Sequence, residues 1–219
     1  MTIRVRDAIV VVLGALSGLG AARVPQITDL REIPLHMGVN DIARLAPDGR
    51  DGIIVEGEHS DSPTADGRSI DFMALLRDSP PGPLWEVVDA REEPSDISDR
   101  PFGGSLLSAA PHDGEDWKRN IAFARGRVDG SPALLLIVGE RDLQATHAAN
   151  AHTAVPADIT VYRMQRDDLD QQDHFIPIQH RRTMACYVDV RLAVAQTLKL
   201  PLPTGYAGPG TPAPCGATG

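Results

Sequence analysis

An acid and an imidazole stand at the ends of two strand-like runs in this chain. Ser131-Pro-Ala-Leu-Leu-Leu-Ile-Val-Gly-Glu-Arg-Asp142 carries an apolar strand into a Gly-x-x-Asp turn, and farther on Asp158-Ile-Thr-Val-Tyr-Arg163 leads into Asp173-His174-Phe175. A carboxylate after one strand and a histidine after the next can meet across the top of a sheet. There the Asp fixes the imidazole tautomer and the His acts as a general base. Asp142 and His174 are therefore candidate members of a nucleophilic triad. The alternative for Asp142 is a cap on a helix starting near Leu143, and for His174 an exposed place among Asp167, Asp168, Asp170 and Asp173.

That acidic run is also a candidate cation site. Together with His174 it is rich in oxygen ligands, as is His112-Asp113-Gly114-Glu115-Asp116, and calcium favours several carboxylate oxygens. Neither run has EF-hand spacing, and charge runs are commonly solvated loops. No His-x-x-x-His or Cys-x-x-Cys pair supports zinc, and the spacing of His147 and His152 fits one helical face poorly.

The elements that would position these groups alternate. Strand-type runs occur at Ile9–Leu13, Gly52–Val55, Leu84–Val88, Ser105–Ser108, Ala133–Val138 and Ile159–Tyr162, most of them unalternated, as in strands covered on both faces. Apolar residues recurring every three or four positions predict helices over Ser69–Arg77, Trp117–Ala124, Leu143–Thr153 and Arg181–Thr197. This interleaving predicts an α/β domain over residues 1–200, with a mostly parallel sheet flanked by helices and an active site at the carboxyl ends of its strands. Glu92–Gly104 reads as a surface loop, and residues 201–219 as an extended or disordered Pro/Gly-rich tail.

Composition narrows the partners. The chain has 219 residues, enough for one sizeable core, and its formal charge of −9 points away from nucleic acid. Lys118 and Lys199 are its only lysines, so arginine supplies the rest of the 21 basic residues, a bias of the kind a GC-rich genome sets. Two cysteines, Cys186 and Cys215, are too few for a disulfide scaffold but enough for one bridge pinning the tail in an oxidising compartment. Arg4 and Arg6, the apolar run Ala8–Leu19 and the small residues Gly20, Ala21 and Ala22 are partly signal-like, while Asp7 and the glycines favour a core strand with a cytoplasmic chain. No stretch has the roughly 20 apolar residues of a membrane span.

The ordered pair "VGERD" and "DHF" resembles the C-terminal half of the α/β-hydrolase fold, particularly its esterase-type members. The resemblance covers roughly residues 100–195, with Phe102–Pro111 similar to the preceding strand. It implies that Asp142 is the acid and His174 the base of a serine acyl-enzyme mechanism on an ester, thioester or lactone, without a cofactor. The family's nucleophile elbow, Gly-x-Ser-x-Gly, is approached by Gly67-Arg-Ser69-Ile-Asp71, which makes Ser69 the candidate nucleophile and Ser105 its rival. The order Ser69, Asp142, His174 matches the family's. Backbone N–H groups near Ile70 and Gly14–Ala15 would form the oxyanion hole. Separately, Gly14, Gly18 and Gly20 resemble the glycine-rich turn of short-chain dehydrogenases, implying a nucleotide binder, although the Tyr-x-x-x-Lys of that family is absent. A binding module without catalysis is the third alternative.

Overall fold

The computed structural model describes residues 24–60, 68–77, 85–90, 107–109, 119–143, 152–168, 170–203 and 205–217. Ten strands and one helix follow in the order β1 (Ile27–Glu32), β2 (Gly38–Ile42), β3 (Gly52–Ser60), β4 (Arg68–Arg77), β5 (Trp85–Val88), β6 (Leu107–Ala109), β7 (Arg119–Val128), β8 (Ser131–Arg141), β9 (Ala157–Arg166), β10 (Asp173–Arg182) and α1 (Val190–Leu198). They make two antiparallel sheets. The inner sheet has the order β1-β7-β8-β9-β10 and the outer sheet β2-β3-β4-β5, with β6 pairing β4. Every strand pairing within the sheets is antiparallel, so the expected parallel α/β sheet of hydrolase type is overturned.

The unalternated run of β8 shows why. Leu134 through Gly139 are all buried, because each face of this strand has its own cover. Leu134, Leu136 and Val138 pack with Phe123, Met164 and Phe175 against Ile54, Phe72 and Leu76 of the outer sheet. Leu135 and Ile137 pack on the opposite side with Val190, Leu192 and Val194 of α1. A strand buried on both faces reads as a continuous apolar run whichever way its neighbours point, and here a helix covers one face of an antiparallel sheet. The direction is set by the turn. Asp129 (φ 49) and Gly130 (φ 81) join β7 to β8, and the hairpin turns that match strand twist need positive φ at both central residues.

Two predicted helices are strands. Phe72, Ala74 and Leu76 point into the core while Met73 and Leu75 lie on the other face, so β4 carries apolar side chains on both sides and mimics a helical period with good helix formers. Trp117–Ala124 becomes β7 from Arg119 onward. Of Arg181–Thr197, only Val190 onward is helical. Asp189 caps α1 by accepting from the Arg191 N–H at 2.8 Å, and Lys199 (φ 57) ends it in the left-handed region. The strand at Ile9–Leu13, the glycines at 14, 18 and 20, the signal-like segment, the loop over 92–104, Ser105, the acidic run at 112–116 and most of Leu143–Thr153 lie outside the described residues.

The C-terminal segment is tied to the body. Cys186 and Cys215 form a disulfide. The Ala213 N–H donates to the Cys186 carbonyl at 3.0 Å, and the Ala217 carbonyl accepts from the Ala154 N–H at 2.7 Å. Arg191 stacks over the Tyr206 ring, 5.0 Å from its centre. Among the described residues no helix is long and apolar enough to cross a membrane.

Candidate functional site

The segment from Ala43 to Asp51, between β2 and β3, is closed by its own polar groups. Asp51 accepts from the Arg44 N–H at 2.7 Å and Asp48 from the Arg50 N–H at 3.0 Å. The Ala46 N–H donates to the Arg50 carbonyl at 3.1 Å, and the Gly49 N–H to the Ala46 carbonyl at 3.0 Å. Leu45 is buried at the loop's root, where a side chain at Gly52 would collide with it and with the Leu75 carbonyl. Arg44 has φ 52, a left-handed conformation that costs a non-glycine residue about 1–2 kcal/mol. Arg125 of β7 holds that shape, donating to the Arg44 carbonyl at 3.2 Å and to the Ala43 carbonyl.

One side of this loop faces a charged corner between the sheets. Arg50 donates to Asp48 at 2.7 Å, to Glu86 of β5 at 2.8 Å, and to Asp173 of β10. Asp173 also accepts from Arg166 at 3.3 Å, while its N–H donates to Glu86 at 2.9 Å. Burial pushes the Asp173 carboxyl above its ordinary range; Arg50 and Arg166 pull it down, and Glu86 and Asp48 push it up again. Burial also acts to raise Glu86 and Asp48, but hydrogen bonds and charge from Arg50, with the Arg166 charge, hold both below their ordinary values. Burial acts to lower Arg50, and its bonds to Glu86 and Asp48 reverse that, holding it above its usual value. With its donors met by carboxylates, this corner works as a clamp between sheets.

His174 belongs to the same corner. Nδ1 contacts Asp89 and Nε2 lies 3.0 Å from Asp170, with the ring buried. The Phe175 N–H donates to the Asp89 carbonyl at 2.9 Å, and Ala90 bridges Phe175. Both ring nitrogens thus have carboxylate partners.

The proposed triad is distributed over three places. Ser69 lies inside β4, opposite His59 of β3, and not on a strand-to-helix turn. Asp142 follows β8, where its N–H donates to the Pro156 carbonyl at 3.1 Å and its carboxylate pairs with Arg182 at 2.5 Å. Arg182 closes β10 and His174 is its second residue. Asp142 and His174 therefore sit at opposite ends of a strand that rises about 3.3 Å per residue, on the order of 25 Å apart. The glycine of the VGERD stretch has a packing role, since a Cβ on Gly139 would stand 2.5 Å from Val194 and 2.9 Å from Val190 of α1. The acidic run 167–173 is the β9–β10 connection, with Gln171 at φ 62 and Asp170 and Asp173 engaged by His174 and by arginines. Among the described residues no group of three or more His, Cys, Asp or Glu could hold a metal ion.

The other side of the Ala43–Asp51 loop forms the wall of a cleft of about 290 Å³. Leu45, Ala46, Leu134 and Met164 supply apolar surface, and Arg44, Arg125 and Arg163 supply charge. No carboxylate among the described residues lines it. Among the described residues these three guanidinium groups enter no ion pair, and neither do Arg31, Arg77 and Arg181, but Arg44, Arg125 and Arg163 share one cleft. Sequence reasoning passed over the three because arginine abundance has a bland compositional source. Their signal was positional, a cation within each of three stretches that otherwise build the core.

No family model and no curated protein sequence matches the chain. It is similar to a solved structure, the crystal structure of CarG, at 12% identity and a TM-score of 0.52, over 73% of this chain and 90% of that one. The likeness is one of fold.

Proposed function

We propose that the chain is a binding module for a small organic anion, a carboxylate on an apolar body, held in the cleft of Arg44, Arg125 and Arg163. The observation that carries this reading is the lining of the cleft. In a chain of formal charge −9, three arginines line one apolar cleft without an acid among them. Guanidinium groups match a carboxylate fork in plane and charge, and a low-dielectric wall strengthens the attraction. The volume lies near the lower end of the range for small-molecule sites, about 300–1,000 Å³. The loop is locked by its own hydrogen bonds and by Arg125, so little ordering is left for the ligand to impose. The Cys186–Cys215 bridge supports an oxidising compartment as the setting.

Calorimetry and thermal melts with hexanoate, benzoate and their neutral amides test the reading. Saturating carboxylate at 100 times its dissociation constant adds about 2.7 kcal/mol to the folded state, and the amides add nothing comparable. Arg44→Ala with Arg163→Ala abolishes the effect with the fold intact. Equal binding of acids and amides, or binding indifferent to the arginines, rejects it.

A further inference from the structure

The outer sheet turns its unburied face away from the inner sheet, and that face is apolar. Cross-strand neighbours form two rows: Val39, Val55 and Met73, then Ile53, Leu75 and Val87. Val39 is 56% exposed and Val87 41%, and Met37 (50%) and Trp85 (42%) extend the face at its ends. Each row runs across adjacent strands, so these side chains form one continuous patch. Scattered single apolar residues on a surface are ordinary, but a contiguous patch marks an interface. Among the described residues, α1 and the C-terminal segment pack on the far side of the inner sheet and leave this face uncovered.

Its charges say what fits. Asp41 stands on β2 beside Ile53, and Arg77 stands on β4 opposite Trp85, over whose ring it lies at 5.5 Å. Asp71, opposite Gly57 and two residues before Met73, is a third charge on this face, so its complementarity rests on Asp41 and Arg77. A twofold axis lying between two such faces and along the strands places β2 of one copy over β5 of the other. The two apolar centres then meet, and Asp41 of each copy comes within reach of Arg77 of the other. We propose that this face docks a second copy of the chain, giving a symmetric dimer with outer sheets packed face to face. Aligned sheets pack about 10 Å apart with interdigitated side chains, and isologous twofold dimers are the commonest assemblies.

Sedimentation equilibrium on the full chain tests this, with thermal melts confirming that each variant is folded. The wild-type chain dimerises with rising concentration. Val39→Asp and Val87→Asp, both at exposed positions, each weaken the dimer at least about tenfold. Asp41→Arg and Arg77→Asp each weaken it as single changes by setting like charges together, and the Asp41→Arg/Arg77→Asp double variant recovers affinity. A wild type that stays monomeric throughout overturns the proposal, as does a dimer indifferent to Val39→Asp and Val87→Asp. A double swap no tighter than the singles overturns the twofold arrangement argued here.

Discussion

Arg50 and Asp173, 123 positions apart in sequence, form one ion pair that fastens the β2–β3 loop to the first residue of β10. The Asp173 side chain is 2% exposed and depends on that guanidinium for its charge to be tolerated. Arg50→Ala leaves a buried carboxylate without its main partner. The expected loss is about 3–5 kcal/mol, read as a fall in Tm on the order of 10 °C. Adding Asp173→Asn recovers part of that loss, and an additive double variant shows that the pair is not coupled.

The same corner sets an acid response. Glu86 and Asp48 lie below their ordinary values of 4.5 and 3.8 in the fold, so their stabilisation is complete above those values. It disappears as pH falls through the lowered folded values. Asp173, raised in the fold, works in the opposite sense and favours the folded state as it gains its proton. Glu86→Gln should cost about 1.5–3 kcal/mol at neutral pH, and urea titrations should find the gap between variant and wild type closing below pH 4.5. A gap that widens in acid means Glu86 does not carry the charge assigned to it.

Reduction isolates the contribution of the C-terminal tie. Cys186 and Cys215 are 29 positions apart, and in the chain-entropy account a closed loop of that size contributes about 3–4 kcal/mol. Dithiothreitol, or Cys186→Ser with Cys215→Ser, lowers Tm accordingly. Hydrogen exchange then rises first at Ala154, Ala213 and Gly216, whose N–H groups are bonded within this tie. Unchanged exchange there means the segment is held by its other contacts.

Gly139→Ala probes the seat of the helix. The added methyl meets Val190 and Val194 inside van der Waals contact, which forces α1 off the inner sheet. Overpacking of this kind costs about 1–3 kcal/mol, and calorimetry of the variant measures it. Gly139→Ala with Val194→Ala restores most of the loss. At Gly57 an added Cβ meets nothing within 4 Å, so Gly57→Ala serves as the neutral control for packing.

Of the six apolar runs expected to be strands, five fall on β3, β5, β6, β8 and β9 and the run at Ile9–Leu13 lies outside the described residues, so the strand content was partly legible. Their direction was misread for a local reason. Val128-Asp-Gly-Ser131 contains the Asp-Gly pair that closes a hairpin, and that pair outweighs the continuous apolar run behind it. Phe72–Leu76 misled differently, since Met, Ala and Leu prefer helices and only the neighbouring strands make them extended. For the site, Asp142 and His174 do have side-chain partners in the fold, Arg182 for the first and Asp89 and Asp170 for the second. No spacing rule joins Arg44, Arg125 and Arg163, which meet only when the loop closes over β7, β8 and β9.

The inner sheet is made from two parts of the chain. Strands β7 to β10 run as a meander, each paired with its successor, whereas β1 reaches β7 only after the whole outer sheet has been threaded between them. Contacts close in sequence form at low entropic cost and distant ones late, so the meander supplies the folding nucleus and β1 closes the sheet last. In kinetic terms, Leu135→Ala should slow refolding. Ile27→Ala should leave the refolding rate nearly unchanged and hasten unfolding.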